Sequence, residues 1–487
     1  MNAVLNHFSA LFKKQPKGFY TLLYTEICEL FGQFGITALL VLYMTSILKT
    51  SDNIAFAAYG TFSAFMYAIP LIGGYFADRV IGFKSALLVG IILMTIGNVC
   101  LVFSSLHMLY LGLAVFSIGC GFFTPTITAM VGRLYAQQEG SRDNAFILYY
   151  IAKNIGALFA TLFCSYIAVH ISYHVAFLAS AIIMLSGYIA FALGSETTLK
   201  PYLMSPKMPA MQRHSLLFGL VGLLIGATVF IMNHQLSNIF MAIVSATAIV
   251  VVAHLYKKFD SADRQKLNII LIAILMMMVF FMFLCQGGTT LNLFIERIIN
   301  RSIGTHVIPP SSFYALDPFF MILLGTIVMT LLNKVKGANQ TIIAYTKIAI
   351  GLATLGVGFL VFIAAAQKML HTHIQPGIGY VIMAYAVFPV AELCIMPIVI
   401  SLITRIAPKG YEGFMIGLYM LGSAIASYLT GLFSKLGNVS FPVNTPQSMV
   451  DAAKIYQHVF ILSALGLFMA ALFSYLMIGR YKHKPIE

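Results

Sequence analysis

The chain is 487 residues long, 60% hydrophobic and only 9% charged, with no tryptophan. So little charged surface excludes a soluble globular protein of this length. The formal net charge of +14 would suit a nucleic-acid binder, but the basic residues gather in alternate loops between apolar runs of about 20 residues, the positive-inside pattern of a polytopic helical membrane protein.

About fourteen spans are expected from hydropathy and loop charge. The first six run Phe19–Ile47, Ala55–Ala77, Ser85–Ser104, Met108–Tyr135, Asn144–Ile171 and Val175–Leu193. A polar linker, Gly194–His214, follows; it holds Pro201, Pro206 and Pro209 and is a poor helix former. Two spans come next, Ser215–Met232 and Gln235–Tyr256. The last six are Leu267–Ile299, Phe313–Leu332, Ile342–Ala366, Tyr380–Ile406, Glu412–Phe433 and Ile455–Gly479. This order divides the chain into a six-helix bundle (1–193), a linker (194–214), an inserted helix pair (215–256) and a second six-helix bundle (257–487). Two six-helix halves with a midplane site match the major facilitator architecture.

Roughly 22 of the 29 basic residues fall on one side of this topology and six on the other, with Lys153 left inside a span. The bias puts both termini in the cytoplasm, so the number of spans is even. No signal peptide is expected, because polar residues precede the first apolar run and no small-residue cleavage site follows a short one. The six cysteines lie within apolar runs and read as small core residues, not as a metal or redox pair. No metal and no other cofactor is expected. His371 and His373 are weak metal evidence and read as solvated loop residues, as do His170 and His174.

Carboxylates at membrane depth are the informative residues. Each costs roughly 2.5–3.5 kcal/mol to insert, so they mark solute, ion or proton paths. Glu26, Glu29, Gln33 and Thr37 recur at i, i+3, i+7 and i+11 and line one helical face, with the two glutamates as proton carriers. Lys153 needs an acidic partner or a water-filled cavity. It is expected either to pair with Glu26 or Glu29 or to meet a substrate carboxylate. Glu392, in the span Tyr380–Ile406, is a strong receptor for an ammonium group. Asp78 and Arg79, at the inner end of the second span, read as a gate. Gly119, Gly121, Pro125, Pro389 and Pro397 suggest helices that bend during transport.

Several segments resemble the proton-dependent oligopeptide transporter family. Gly73-Gly74-Tyr75-Phe76-Ala77-Asp78-Arg79, through Gly82 and Lys84, is similar to its Gly-Gly-x-x-Ala-Asp signature. Arg142-Asp143 through Phe146, Tyr149, Tyr150, Asn154 and Gly156 resembles its fifth-helix motif. Gln286-Gly287-Gly288 through Asn292 and Arg297 resembles the start of its seventh helix. Glu392-Leu393-Cys394, Pro397, Ala407-Pro408 and Gly413 through Leu418 form the best match. The resemblance implies a major facilitator fold and transport of small zwitterionic solutes, di- or tripeptides, coupled to protons. The expected partners are such a solute, protons and the lipid bilayer, with no nucleic acid, and the protein is expected to be a monomer. The resemblance also places Glu392 against the peptide amine, and Tyr67 and Asn154 among the cavity's hydrogen-bond donors, with Gln286 as a further candidate.

The chain departs from that pattern where ions matter. The family's first helix carries Glu-x-x-Glu-Arg and a second arginine; Leu30 and Thr37 stand at those positions, and Gln33-Phe34 replaces a tyrosine pair. Thr124-Pro125-Thr126 replaces Lys-Pro-Asn, Cys285 replaces an acid, and Asp317 replaces an asparagine. Three other outcomes stay open on these grounds: a uniporter or exporter of another metabolite, such as a siderophore or amino-acid derivative; a non-transporting membrane sensor; and a membrane enzyme, for which no nucleophile–base arrangement is present.

Overall fold

A computed structural model describes residues 15–135, 139–200, 210–332, 334, 335 and 339–481. Among the described residues the regular structure is helical apart from one short hairpin. The helices are α1 (Lys17–Leu42), α2 (Asp52–Phe76), α3 (Phe83–Cys100), α4 (Leu106–Leu134), α5 (Glu139–His170), α6 (Tyr173–Thr197), α7 (Ala210–Met232), α8 (His234–Lys258), α9 (Ser261–Leu284), α10 (Thr290–Arg297), α11 (Leu316–Leu332), α12 (Gln340–Thr372), α13 (Gly379–Ile406), α14 (Glu412–Ser434) and α15 (Pro446–Tyr481). The hairpin pairs β1 (Ser302–Ile303) with β2 (His306–Val307).

Helices dominate because a bilayer offers backbone groups no partner, and an α-helix satisfies them within its own segment. Thirteen helical segments among the described residues are long and apolar enough to cross a membrane. The fourteenth expected span falls on α7, whose described apolar stretch, Val221–Met232, is shorter. Within the polar linker, α6 continues to Thr197 and α7 begins at Ala210, and residues 201–209 lie outside the described residues. The single helix expected over Leu267–Ile299 is broken in two at Cys285–Thr289, where Gly287 and Gly288 offer no side-chain support and Thr289 leaves helical geometry at φ −125°, ψ −102°. Pro70, Pro125, Pro389 and Pro397 all sit inside helices that run on past them, as membrane helices permit.

The chain forms two compact units, 1–37 with 68–232, and 38–67 with 233–487. The cut passes through α1 and α2, so each of these helices contributes to both units. In the first unit, close helix approach depends on small residues. A Cβ at Gly97 would meet the carbonyl of Gly112 at 2.7 Å, and one at Gly73 would lie 2.1 Å from the carbonyl of Gly121. The chain reverses between α2 and α3 at Gly82, with φ 78° and ψ 157°, a combination open essentially only to glycine. In the second unit, α12 packs along α15 and α13, α11 lies on α13, and α9 lies on α14. The first part of α2 crosses α14 at Gly60 and Gly431, where a Cβ on Gly60 would come within 2.9 Å of the Gly431 Cα.

Candidate functional site

In the first unit the stripe on α1 meets α4 and α5. Glu26 and Glu29 are almost completely buried. Lys153 Nζ lies 3.5 Å from Glu26 Oε1, and its side chain keeps 33% exposure against 1% for the glutamate. The Tyr149 hydroxyl stands near the Glu26 carboxylate and lies 3.3 Å from Thr128 Oγ1. The Lys153 ammonium stands 5.8 Å from the centre of the Tyr149 ring. Cys120 on α4 donates its thiol to Glu29 Oε1 at 3.5 Å. Glu26 Oε2 is buried and has no hydrogen-bond partner. Gly156 sets the register of this contact: a Cβ there would meet the Ile27 carbonyl at 2.7 Å and Leu30 Cβ at 3.0 Å, so only glycine lets α5 come this close to α1 one turn from Lys153.

The rest of the stripe is more self-contained. Thr37 is buried and donates to the Gln33 carbonyl at 2.9 Å, and Gln33 is half-buried. Asn154 folds its amide back onto the Tyr150 carbonyl at 2.9 Å. Asp78 is exposed in a π-helical turn, Ala77–Ile81, that ends α2; the side chain of Arg79 lies outside the described residues. Nearby, Lys84 and Glu196 form an ion pair between α3 and α6.

The second unit holds a cluster of tyrosines and carboxylates. Tyr67 packs edge-on against Phe281, with ring centres 5.2 Å apart. Cys285, Tyr419, Tyr59 and Glu392 lie around Tyr67. Ser63 and Tyr314 stand beside the Tyr59 hydroxyl. Gln286 is fully buried and donates to Ser463 Oγ at 3.2 Å. The helix break at Cys285–Thr289 sets this amide beside α15.

The same unit contains the most completely bonded ion pair in the protein's described residues. Arg297 grips Asp52 with two parallel bonds, Nη1 to Oδ2 at 2.7 Å and Nη2 to Oδ1 at 2.8 Å. The Arg297 Nη1 also donates to the Tyr456 hydroxyl at 3.0 Å, and the Val439 backbone N–H donates to Asp52 Oδ2 at 3.2 Å. One turn away, Asn292 donates to the Ala38 carbonyl at 2.9 Å, and Ser46 donates to Glu296 at 3.2 Å. These bonds hold residues 38–67 to α10 and α15.

The POT family model matches residues 79–449. The chain belongs to the POT family. Among its relatives, dipeptide and tripeptide permease A of Escherichia coli (strain K12) is 27% identical over 439 residues, 88% of this chain and 87% of the permease. The permease of the same name from Pectobacterium carotovorum subsp. carotovorum (strain PC1) is 27% identical over 460 residues, 92% and 88% of the two chains. Tetrameric PepTSo2 has the same fold, with a TM-score of 0.84 at 22% identity, covering 96% of this chain and 99% of that one. A bacterial homologue of the human drug peptide transporters gives 0.81 at 23% identity, covering 95% and 98%. The protein is therefore a multi-pass membrane transporter of the major facilitator fold, not an enzyme.

Within this POT member, Lys153 is brought to Glu26, while Glu29 takes its contact from Cys120. Sequence reasoning puts Cys120 among the inert core thiols and singles out neither Tyr149 nor Thr128 as a site residue. Tyr149 carries a usable signal, because it precedes Lys153 by one helical turn and shares its face. Asp52 also escapes the sequence; its only signal is an acid at the start of a span.

Proposed function

We propose that this POT protein is a proton-coupled transporter of di- and tripeptides that works by alternating access in a bacterial inner membrane, with both termini in the cytoplasm. The observation that carries this reading is the Lys153–Glu26 pair beside Glu29, buried in the first unit of a member of a transporter family. The names of the relatives, dipeptide and tripeptide permeases, support the solute class.

Glu26 and a peptide carboxylate compete for the ammonium of Lys153. When Glu26 is ionised, it holds the ammonium of Lys153. When a proton neutralises Glu26, Lys153 is released to accept a peptide carboxylate, and this exchange couples the proton to the solute. Glu29 shares the face and carries the second exchangeable proton. Glu392 receives the peptide amine, and Gln33, Thr37, Tyr67 and Asn154 supply hydrogen bonds to the peptide. Gln286 is the further candidate of this set, with its Nε2 also donating to Ser463 Oγ. Asp78 and Arg79 act at one gate. The Asp52–Arg297 clamp holds residues 38–67 to α10 and α15. The protein acts as a monomer in this reading.

The test is uptake of labelled di- and tripeptides into proteoliposomes, with an inward proton gradient and with the gradient collapsed. Accumulation above equilibrium only with the gradient is expected. Equilibration that ignores the gradient would replace the symporter by a uniporter, and no flux from folded protein would remove peptides as the solute.

A further inference from the structure

The second unit contains a carboxylate to which the reading above gives no role. Asp317 lies in the first turn of α11, and its Oδ1 is buried with no hydrogen-bond partner. On α13, the hydroxyl of Tyr385 is also buried without a partner. The titratable groups around Asp317 come from every side of this pocket. Tyr314 precedes α11, Cys285 ends α9, and Tyr385 stands on α13; all three lie within electrostatic reach of Asp317. Glu392 acts on the same Cys285, and Tyr59 of α2 acts on Tyr314 and Tyr385. Gly287 forms the wall: a Cβ there would meet the Tyr314 ring at 2.5 Å and the Tyr385 hydroxyl at 3.3 Å, so glycine makes the room in which both tyrosines stand beside the acid.

This surrounding has a definite chemistry. It offers hydroxyls, a thiol and a second carboxylate, and Asp317 takes part in no ion pair among the described residues. An ionised carboxylate with an orphaned oxygen is costly in such a place, whereas a neutral carboxyl has an O–H to donate. Membrane-depth acids without a fixed cationic partner mark proton paths.

We propose that Asp317 is a further proton-carrying carboxyl of the transport cycle, housed wholly in the second unit and separate from the Glu26–Glu29 pair. It takes up a proton from water at Oδ1 and returns it to water; the O–H bond is the only bond made and broken. The Tyr385 and Tyr314 hydroxyls shelter the neutral form. The proposal rests on the transport reading above.

The experiment uses the full-length protein, wild type, Asp317→Asn and Asp317→Glu, with two readouts. The first is the infrared difference spectrum of the purified protein between low and high pH. Asp317→Asn is expected to lose one protonated-carboxyl C=O signal, and Asp317→Glu to regain one. The second is peptide uptake into proteoliposomes, where Asp317→Asn is expected to lose the stimulation by a proton gradient and Asp317→Glu to recover it. An infrared spectrum unchanged by Asp317→Asn overturns the proposal whatever the transport result. Equal loss of driven and undriven flux in both variants, with the spectrum unchanged, assigns Asp317 a packing role. Loss of the signal in a protein whose wild type carries no peptide would refute the solute class and leave Asp317 as the proton site.

Discussion

Two buried ion pairs of this protein are built to opposite specifications. Arg297 and Asp52 meet in a fork with two short, parallel bonds, and two further hydrogen bonds, from Arg297 to the Tyr456 hydroxyl and from the Val439 N–H to Asp52, add to the same grip. Lys153 and Glu26 meet through one 3.5 Å contact, the lysine keeps a third of its surface, and the second oxygen of Glu26 has no partner. A planar guanidinium suits a permanent bidentate lock, while a lysine ammonium is a point charge on a flexible stem that can leave. The first pair fastens residues 38–67 to α10 and α15. The second is poised for exchange of a proton or a solute charge.

The contrast fixes the order of expected effects. Asp52→Ala or Arg297→Ala leaves one buried charge uncompensated and should destabilise the protein by about 3–5 kcal/mol, read from unfolding in detergent. A loss below about 1 kcal/mol would make the clamp no better than a surface pair and erase the contrast. Lys153→Ala should reduce gradient-driven uptake by about tenfold or more, the equivalent of about 1.4 kcal/mol, with a smaller loss of stability than either clamp variant. Normal transport by that variant would sink the exchange mechanism. Gly156→Ala, whose new methyl must push α5 off the Ile27 carbonyl, is expected to cost about 1–3 kcal/mol. It should also weaken the coupling between Lys153 and Glu26 in a double-mutant cycle, and an undiminished coupling energy would show that the register of α5 is set elsewhere. The smallest effect belongs to Cys120→Ala, which removes a weak thiol donor from Glu29. Its stability change should stay within about 1 kcal/mol, and a larger one would promote Glu29 to a partner-dependent acid.

Much of the site's location is legible in the amino-acid sequence. Intramembrane acids are rare enough that Glu26, Glu29 and Glu392 single themselves out, and the i, i+3 spacing puts the first two on one face. The choice between Glu26 and Glu29 as the partner of Lys153 is not legible, because both lie on that face and the answer depends on how α5 slides along α1. The Asp52–Arg297 pair is hidden for a different reason: 245 residues separate the two, and each stands in a stretch that reads as the end of a span. Cys120 looks inert because its neighbours in sequence are apolar, while its actual neighbour is a carboxylate on another helix.

The amino-acid sequence by itself determined the solvent, the span pattern and the residue types that carry a desolvation cost, because hydropathy, loop charge and helical spacing are properties of a segment and its medium alone. Tertiary structure decided which charges meet, that the helix beginning at Ser261 breaks at Cys285–Thr289 and turns Gln286 inward, and that α1 and α2 each serve two compact units. Those outcomes depend on distances of a few ångströms between helices, and small residues such as Gly156 and Gly60 set them through contacts with chain segments far away in sequence.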